Sequence, residues 1–183
     1  RNYQLFRYKL GCNWYGEYPT KFNGGNFTYD PSLVRSRHRE SPDYRAWGGG
    51  SFTAQNQRLV YWPLLKTGDY EAMLPQFDFY NRMLSGGKAR VREHFGHEGA
   101  YFCEQTENFS LPLLMAWGWK EPEAKNRKRP PNLEPGVLQN KYINYHYESQ
   151  LEFSYMMMEY HRYSGVDISR YMEFIKESIR FFD

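Results

Sequence analysis

Residues 52 to 68, FTAQNQRLVYWPLLKTG, begin with a polar block, Gln55, Asn56, Gln57 and Arg58, and continue into Leu59, Val60, Tyr61, Trp62, Pro63, Leu64 and Leu65. A surface helix keeps its polar groups on one long stripe. This segment is instead polar all round at its start and apolar all round at its end, the pattern of a helix with one end at a wet cavity and the rest buried. Ser51 or Thr53 can cap it, Pro63 should kink or shorten it, and Gly68 should end it. Asp69 then opens DYEAMLPQFDFYNRML, where Met73, Phe77, Tyr80 and Leu84 follow a helical step. The helix should continue through SGGKARVREHF to a loop near Gly96, and the two segments form a helical hairpin.

Upstream, NYQLFRYKLGCNWYG places Tyr3, Leu5, Phe6, Leu10 and Trp14 at three- and four-residue steps and predicts a helix ending at Gly16. Downstream, YHYESQLEFSYMMMEYHRYSG predicts one helix closed by Gly165. DISRYMEFIKESIRFFD predicts another, with Ile168, Tyr171, Ile175, Ser178 and Phe182 on one stripe. This second hairpin repeats the helix, Gly, Asp, helix order of the first (TGD, then SGVD). No strand alternation appears, so the expected fold class is all-α. From Glu17 to Gly50 no period is sustained, and a loop of that length in a compact domain usually carries function. A short apolar piece, LPLLMAWGW, precedes a Pro- and charge-rich excursion from Lys120 to Pro135. Hairpins joined by long irregular loops suggest a toroid of alternating inner and outer helices. The helix that opens at Gln55 matches the inner kind, and 168–182 the amphipathic outer kind.

Composition adjusts this picture in a few places. With 183 residues the chain has room for one domain with a sizeable core. Cys12 and Cys103 form no disulfide framework or metal-type spacing and read as buried thiols. No run of about 18 apolar residues is present, so no membrane span is expected. The net charge is +3, and the one dense basic run, KNRKRPP, lies in a Pro-rich loop rather than over a face, so no nucleic-acid partner is expected. The aromatic content is unusual: 17 Tyr, 13 Phe and 5 Trp beside a mean hydropathy of −0.86. Rings with polar tips suit both helical cores and the faces of sugars.

Several positions carry candidate chemistry. Glu148 and Glu152 stand four apart, neighbours on one helical face. A shielded pair of like charges is what acid/base chemistry exploits, although one carboxylate facing water and the other meeting an arginine would serve structure alone. GHEGAYFCEQTENF gathers His97, Glu98, Tyr101, Glu104 and Glu107 in a glycine-punctuated loop, where binding groups tend to sit. The same acids could equally cap or bridge the loop. No second histidine stands at a ligand spacing, so neither metal nor cofactor is expected. Asn56 and its flanking amides can both donate to and accept from sugar hydroxyls.

These residues resemble a known family. RYKLGCNWYGEYPTKFNGGNF followed by WGGGSFTAQNQRLVYWP is similar to the barrel domain of family 95 glycoside hydrolases. There an Arg-Tyr-Leu-Leu type segment precedes a Pro-x-x-Leu-Gln-Gly-x-Trp-Asn loop, then Trp-Gly and an Asn-x-Asn-Leu-Gln-Met-Asn-Tyr-Trp-Pro helix. Arg7, Tyr8, Pro19, Asn23, Gly24, Trp47, Gly48, Asn56, Tyr61, Trp62 and Pro63 fall on or near that pattern. GHEGAYF is similar to a Gly-Ala loop of family 65 enzymes, and YMMMEYHRYSGVDISRYMEFIKESIRFFD resembles the following hairpin of both families. The resemblance covers most of the chain, apart from 28–43 and 120–140.

The resemblance implies a six-hairpin (α/α)6 barrel of a bacterial branch that cleaves glycosidic bonds with inversion, in a periplasmic or extracellular setting. One departure is visible: Asn56 matches the second of two asparagines that help activate water in family 95, but Ala54 holds the first position, so α-fucosidase specificity does not carry over. A full ring has twelve helices and on the order of 300 residues or more. Residues 1–183 are therefore expected to form one partial barrel domain, about half the toroid, completed by the rest of a barrel or by self-association. The general acid of the family and its partner aspartate are expected beyond Asp183.

The function expected is that of an inverting glycoside hydrolase acting on a carbohydrate substrate. Glu152, Glu148, Glu98, Glu104 and Asn56 are the candidate catalytic groups, and Glu152 is favoured as the acid/base. Gln55, Arg58, Asn23, Trp47, Tyr101 and His97 are the candidate sugar contacts. Two other readings stay open. One is a polysaccharide lyase using Asn56, Arg58, His97, Tyr101 and His146; the other is a non-catalytic helical binding module.

Overall fold

A computed structural model describes residues 1–21, 52–112, 131–132 and 141–183. Seven α-helices dominate them: α1 (Asn2–Gly11), α2 (Ala54–Thr67), α3 (Leu74–Arg82), α4 (Leu84–Phe95), α5 (Lys141–Asn144), α6 (Ser149–Ser164) and α7 (Met172–Arg180). Two strands of two residues each, β1 (Phe52–Thr53) and β2 (Gln105–Thr106), are the extended elements among these residues. The fold is mostly helical. The long irregular stretch from 22 to 51 and most of the apolar and Pro-rich segments between 113 and 140 lie outside the described residues. The chain divides into two compact units, 1–76 and 77–183.

In the first unit, α1 stops at Gly11 rather than Gly16, and the backbone then turns through Asn13 N–H to Leu10 O (2.9 Å) and Gly16 N–H to Asn13 O (3.0 Å). Of its expected apolar stripe, Leu10 is buried while Tyr3 and Leu5 are exposed. A polar contact anchors the helix: Arg7 Nε donates to Asp69 Oδ2 (2.8 Å) and its second nitrogen to Oδ1. Thr67 Oγ1 donates to the same carboxylate at 2.7 Å. Burial pushes the Asp69 carboxyl up, but the Arg7 and Thr67 hydrogen bonds and the Arg7 charge outweigh it and hold its pKa below the ordinary value.

Helix α2 follows Thr53, whose side chain makes no cap bond. It ends at Gly68 with φ +74°, where Asp69 N–H reaches back to Leu64 O at 3.1 Å. Its buried residues, Ala54, Gln57, Val60, Tyr61, Leu64 and Leu65, keep a regular helical step. Leu59 is 66% exposed, and Pro63 is exposed one turn on. The segment expected to be buried all round is therefore one-sided, with apolar residues on its water face as well. Pro63 does not shorten it either, because the carbonyl one turn back that loses its bond belongs to the solvent side, where water can replace the donor. On the buried face, Gln57 Nε2 donates to Thr20 O (3.0 Å), and the Thr20 N–H donates to the Tyr61 hydroxyl (3.0 Å).

The second unit is built on aromatic rings. Helices α3 and α4 are separated by Met83 alone, which keeps helical backbone angles, so the predicted continuous helix is nearly realised. Phe77 meets Tyr160 and Tyr171 edge-on at 5.5 and 5.6 Å between centroids. Tyr80 contacts Phe102 and Phe153, and Phe102 stacks on Phe174. Helix α6 ends at Gly165 with φ +73°, and α7 returns along it. The predicted α7 stripe is buried at Ile168, Tyr171, Ile175 and Ser178, but Phe182 is 51% exposed. Phe181 keeps helical angles and donates its N–H to Glu177 O at 3.2 Å, and, seven residues after the buried Phe174, it takes the inward position in place of Phe182. Asp78 fastens the hairpin to α3 by accepting from the Tyr171 hydroxyl (2.6 Å) and pairing with Arg170 (3.0 Å). The loop after α4 closes on α7 through Ala100 N–H to Glu177 O at 2.8 Å.

Two outcomes test this account. Asp69→Asn should lower the Tm at pH 7 by roughly 2–4 °C, the shift expected for about 1 kcal/mol. A carboxyl with a depressed folded pKa contributes stability above its unfolded value and loses it as pH falls. The gap to wild type should therefore narrow as pH falls below about 4, and a gap that is unchanged between about pH 7 and pH 2 would contradict the ion pair. Gly99 has φ +114°, and an added Cβ would stand 2.5 Å from the Phe181 nitrogen. Gly99→Ala should cost about 2 kcal/mol or more in urea unfolding; an unchanged midpoint would refute the close packing of this loop.

Candidate functional site

The chain between α5 and α6, Tyr145-His146-Tyr147-Glu148, frames a hollow in the second unit. The C-terminal end of α5 is tied down at two points. Glu104 N–H donates to Ile143 O at 3.2 Å, and Arg90 Nη2 donates to the Asn144 side-chain oxygen at 3.1 Å. Tyr147 packs inward against Tyr101 and Phe181, at 5.3 and 5.4 Å between centroids. Held in this way, the link presents an open hollow of about 550 Å³ lined by Tyr142, Tyr145, His146, Tyr147, Glu148, Leu151 and Phe182. That volume lies within the usual range for a small-ligand site, and convergent polar groups among rings are the usual composition.

Its polar edge is a carboxylate, imidazole, carboxylate arrangement. His146 Nε2 lies 3.2 Å from Glu148 Oε1 and 3.6 Å from Glu104 Oε2. Glu104 is buried and accepts a hydrogen bond from Ser149 Oγ at 3.2 Å, whereas the Glu148 side chain is 67% exposed. With both oxygens within 3.6 Å of one nitrogen, they are less than about 7 Å apart, at or below the short end of the ~6.5–9.5 Å separation of inverting glycosidases. Burial, with a smaller push from Tyr145, holds the Tyr147 phenol protonated above its ordinary range.

The other expected site residues are distributed as follows. Glu152 is half-buried one turn into α6, its N–H bonded to Glu148 O at 3.0 Å, and does not line the hollow. His97 and Glu98 are exposed in the loop after α4, with His97 Nδ1 2.7 Å from the Glu98 carbonyl oxygen. Tyr101 is fully buried, stacked on Phe181 at 5.4 Å with Arg90 beside its ring. Burial, chiefly, drives its phenol pKa far up and raises the neighbouring Cys103 thiol. Tyr101 is a packing ring here. Gln55, Asn56 and Arg58 occupy the first turn of α2 in the first unit, Gln55 exposed and the other two half-buried. Asn23 and Trp47 lie outside the described residues.

Ser149 and the rings Tyr142, Tyr145, Tyr147 and Phe182 were not singled out by sequence as site residues. The signal was present in YINYHYES, where three tyrosines bracket His146 within six positions, but a helical reading of that stretch absorbed it. Among the described residues, no group of three His, Cys, Asp or Glu side chains is placed to hold a metal ion, and no helix is long and apolar enough to cross a membrane. Comparison with protein-family models, with curated proteins and with solved structures finds no match to the chain.

The Ser149 contact can be tested alone. Ser149→Ala takes one donor from a buried carboxylate and should cost about 1–2 kcal/mol. Urea unfolding at pH 7 measures it, and an unchanged midpoint would show that Glu104 does not depend on the α6 hydroxyl.

Proposed function

We propose that this chain is part of a carbohydrate-active enzyme of the inverting glycoside hydrolase type, and that the hollow before α6 contacts the sugar. One observation carries the reading: four aromatic side chains and an exposed carboxylate line one hollow, and a second carboxylate stands behind it through a shared imidazole. Rings provide apolar faces for pyranoses, and the phenol tips provide hydrogen bonds to hydroxyls. In inversion one carboxyl protonates the leaving oxygen while the other activates water. Glu148, with access to the hollow, and Glu104 form the pair in place of Glu152, because both stand beside the His146 ring. The likeness to family 95 supports the reading, and the helix, Gly, Asp, helix hairpins are read as parts of an (α/α)6 ring. A lyase is less well served, since a uronate would meet two carboxylates beside His146.

Titration of the chain with neutral oligosaccharides of several linkages, followed by proton NMR of any product, tests this. Binding should map to the hollow, and Tyr145→Ala should weaken it about two- to tenfold, corresponding to ~0.5–1.5 kcal/mol for one aromatic contact. Any hydrolysis should release the inverted anomer. A retained anomer would overturn inversion, binding without turnover would favour a binding module, and failure to bind every glycan would remove the sugar reading.

A further inference from the structure

Helix α6 is apolar on two sides, and its outward side has the spacing of a paired helix. The buried face holds Phe153, Met156, Met157 and Tyr160. On the outward side Leu151, Tyr155 and Met158 are 36, 51 and 44% exposed, and Arg162 follows with its side chain 60% exposed. The steps between these residues are four, three and four. Alternating threes and fours keep one stripe turned toward a neighbouring helix, here over roughly 16 Å. We infer that this stripe packs against the same stripe of a second copy of the chain, antiparallel, across a twofold axis level with the midpoint of residues 156 and 157.

Two observations select this occupant. The stripe reads the same from either end, so a copy running the other way sets Tyr155 against Met158 and Leu151 against Arg162 on both sides of the axis. A twofold interface requires self-complementarity of this sort. A thioether beside a phenol ring is a favourable pair, and the aliphatic stem of Arg162 can cover Leu151 while its head stays in water.

The charges agree on the direction. The acid in the first turn of α6 is Glu152, and the basic residues of its last turn are His161 and Arg162. Arg162 is held by Glu159 of its own helix at 2.9 and 2.6 Å. The Glu159 side chain is only 14% exposed, so the charge presented outward at this end is the guanidinium. Antiparallel pairing brings that end against the acidic first turn of the other copy, twice, and sets the helix dipoles head to tail. Parallel pairing would set acid beside acid. Leu151 also lines the hollow, so Arg162 of the second copy would stand at the edge of the hollow.

Sedimentation equilibrium of the chain from about 5 to about 500 µM tests this, a range suited to a short seam at the small end of specific interfaces. A monomer–dimer equilibrium is expected. Met158→Glu puts a carboxylate on the seam and should weaken the dimer about tenfold or more. Arg162→Glu should weaken it several-fold, and adding Glu152→Arg to that variant should restore most of the loss, which a mere effect on the monomer would not do. Met158 and Arg162 are exposed, so both single variants should keep the wild-type Tm in dilute solution. A chain that stays monomeric over the whole range, or that builds larger open assemblies, would overturn the pairing. So would a dimer as tight in Met158→Glu as in wild type, which would place the contact elsewhere, or a charge exchange that restores nothing. A monomer whose affinity for oligosaccharides falls in Tyr155→Ala would assign the stripe to sugar and overturn the pairing as well.

Discussion

The second unit depends on the packing of aromatic rings that its helices share. Tyr80 on α3 touches Phe102 in the loop and Phe153 on α6, Phe102 stacks on Phe174 of α7, and Phe77 closes the circuit through Tyr160 and Tyr171. Each element is fixed by rings from at least one other, and edge-on or offset contacts of this kind add about 0.5–1.5 kcal/mol per pair beyond burial. The constraint reaches the backbone. A Cβ on Gly87 would stand 2.9 Å from the Phe102 ring, so α4 can lie against the loop only with glycine there. Gly99 gives the loop its approach to Phe181 in the same way.

The hollow is the edge of that ring system rather than a separate construction. Val91, Tyr101, Cys103 and Phe181 form a buried cluster with Phe95, Ile143 and Tyr147 packed on it. Neighbouring residues then divide between the two tasks. Phe181 is buried while Phe182 lines the hollow, and Tyr147 contacts the cluster while Tyr145 remains half exposed. The rings that position the link between α5 and α6 are thus continuous with those that a ligand would touch. A substitution such as Phe181→Ala would disturb both, whereas Tyr145 and Glu148 act mainly on the exposed side.

Much of the helical layout was legible in the sequence because its signals are local. Gly68, Gly96 and Gly165 all stop helices in the left-handed region, with φ near +74°, where glycine alone is unstrained. Met73, Phe77, Tyr80 and Leu84 are all buried at their predicted step. What sequence missed depends on tertiary neighbours. Residue type suggested that α2 was buried all round, yet Leu59 is open to water, because the environment and not the side chain decides burial. The two Gly-Asp turns look alike, but Asp69 receives Arg7 from α1, while Asp167 accepts from the Ser169 hydroxyl and N–H at the start of the next turn. The Glu148 and Glu152 spacing was read correctly as one turn of helix. The partner that matters to Glu148 is His146, and Glu104, 44 positions before Glu148 in the chain, enters only through the folded loop.

The N-terminus of α6 accounts for how several acids tolerate one another there. Glu148 is its N-cap residue, Glu152 lies in its first turn, and Glu104 accepts from Ser149 at its first position. The free N–H groups and aligned peptides of a helix start act as roughly half a positive charge, favourable to carboxylates over about one turn. That partial charge offsets part of the repulsion between carboxylates gathered at one helix start. A ligand anion would compete with carboxylates already installed at this helix start. The positive end of this helix is thus taken up by acids of the chain itself, which ties the fold of the loop at Glu104 to the start of α6.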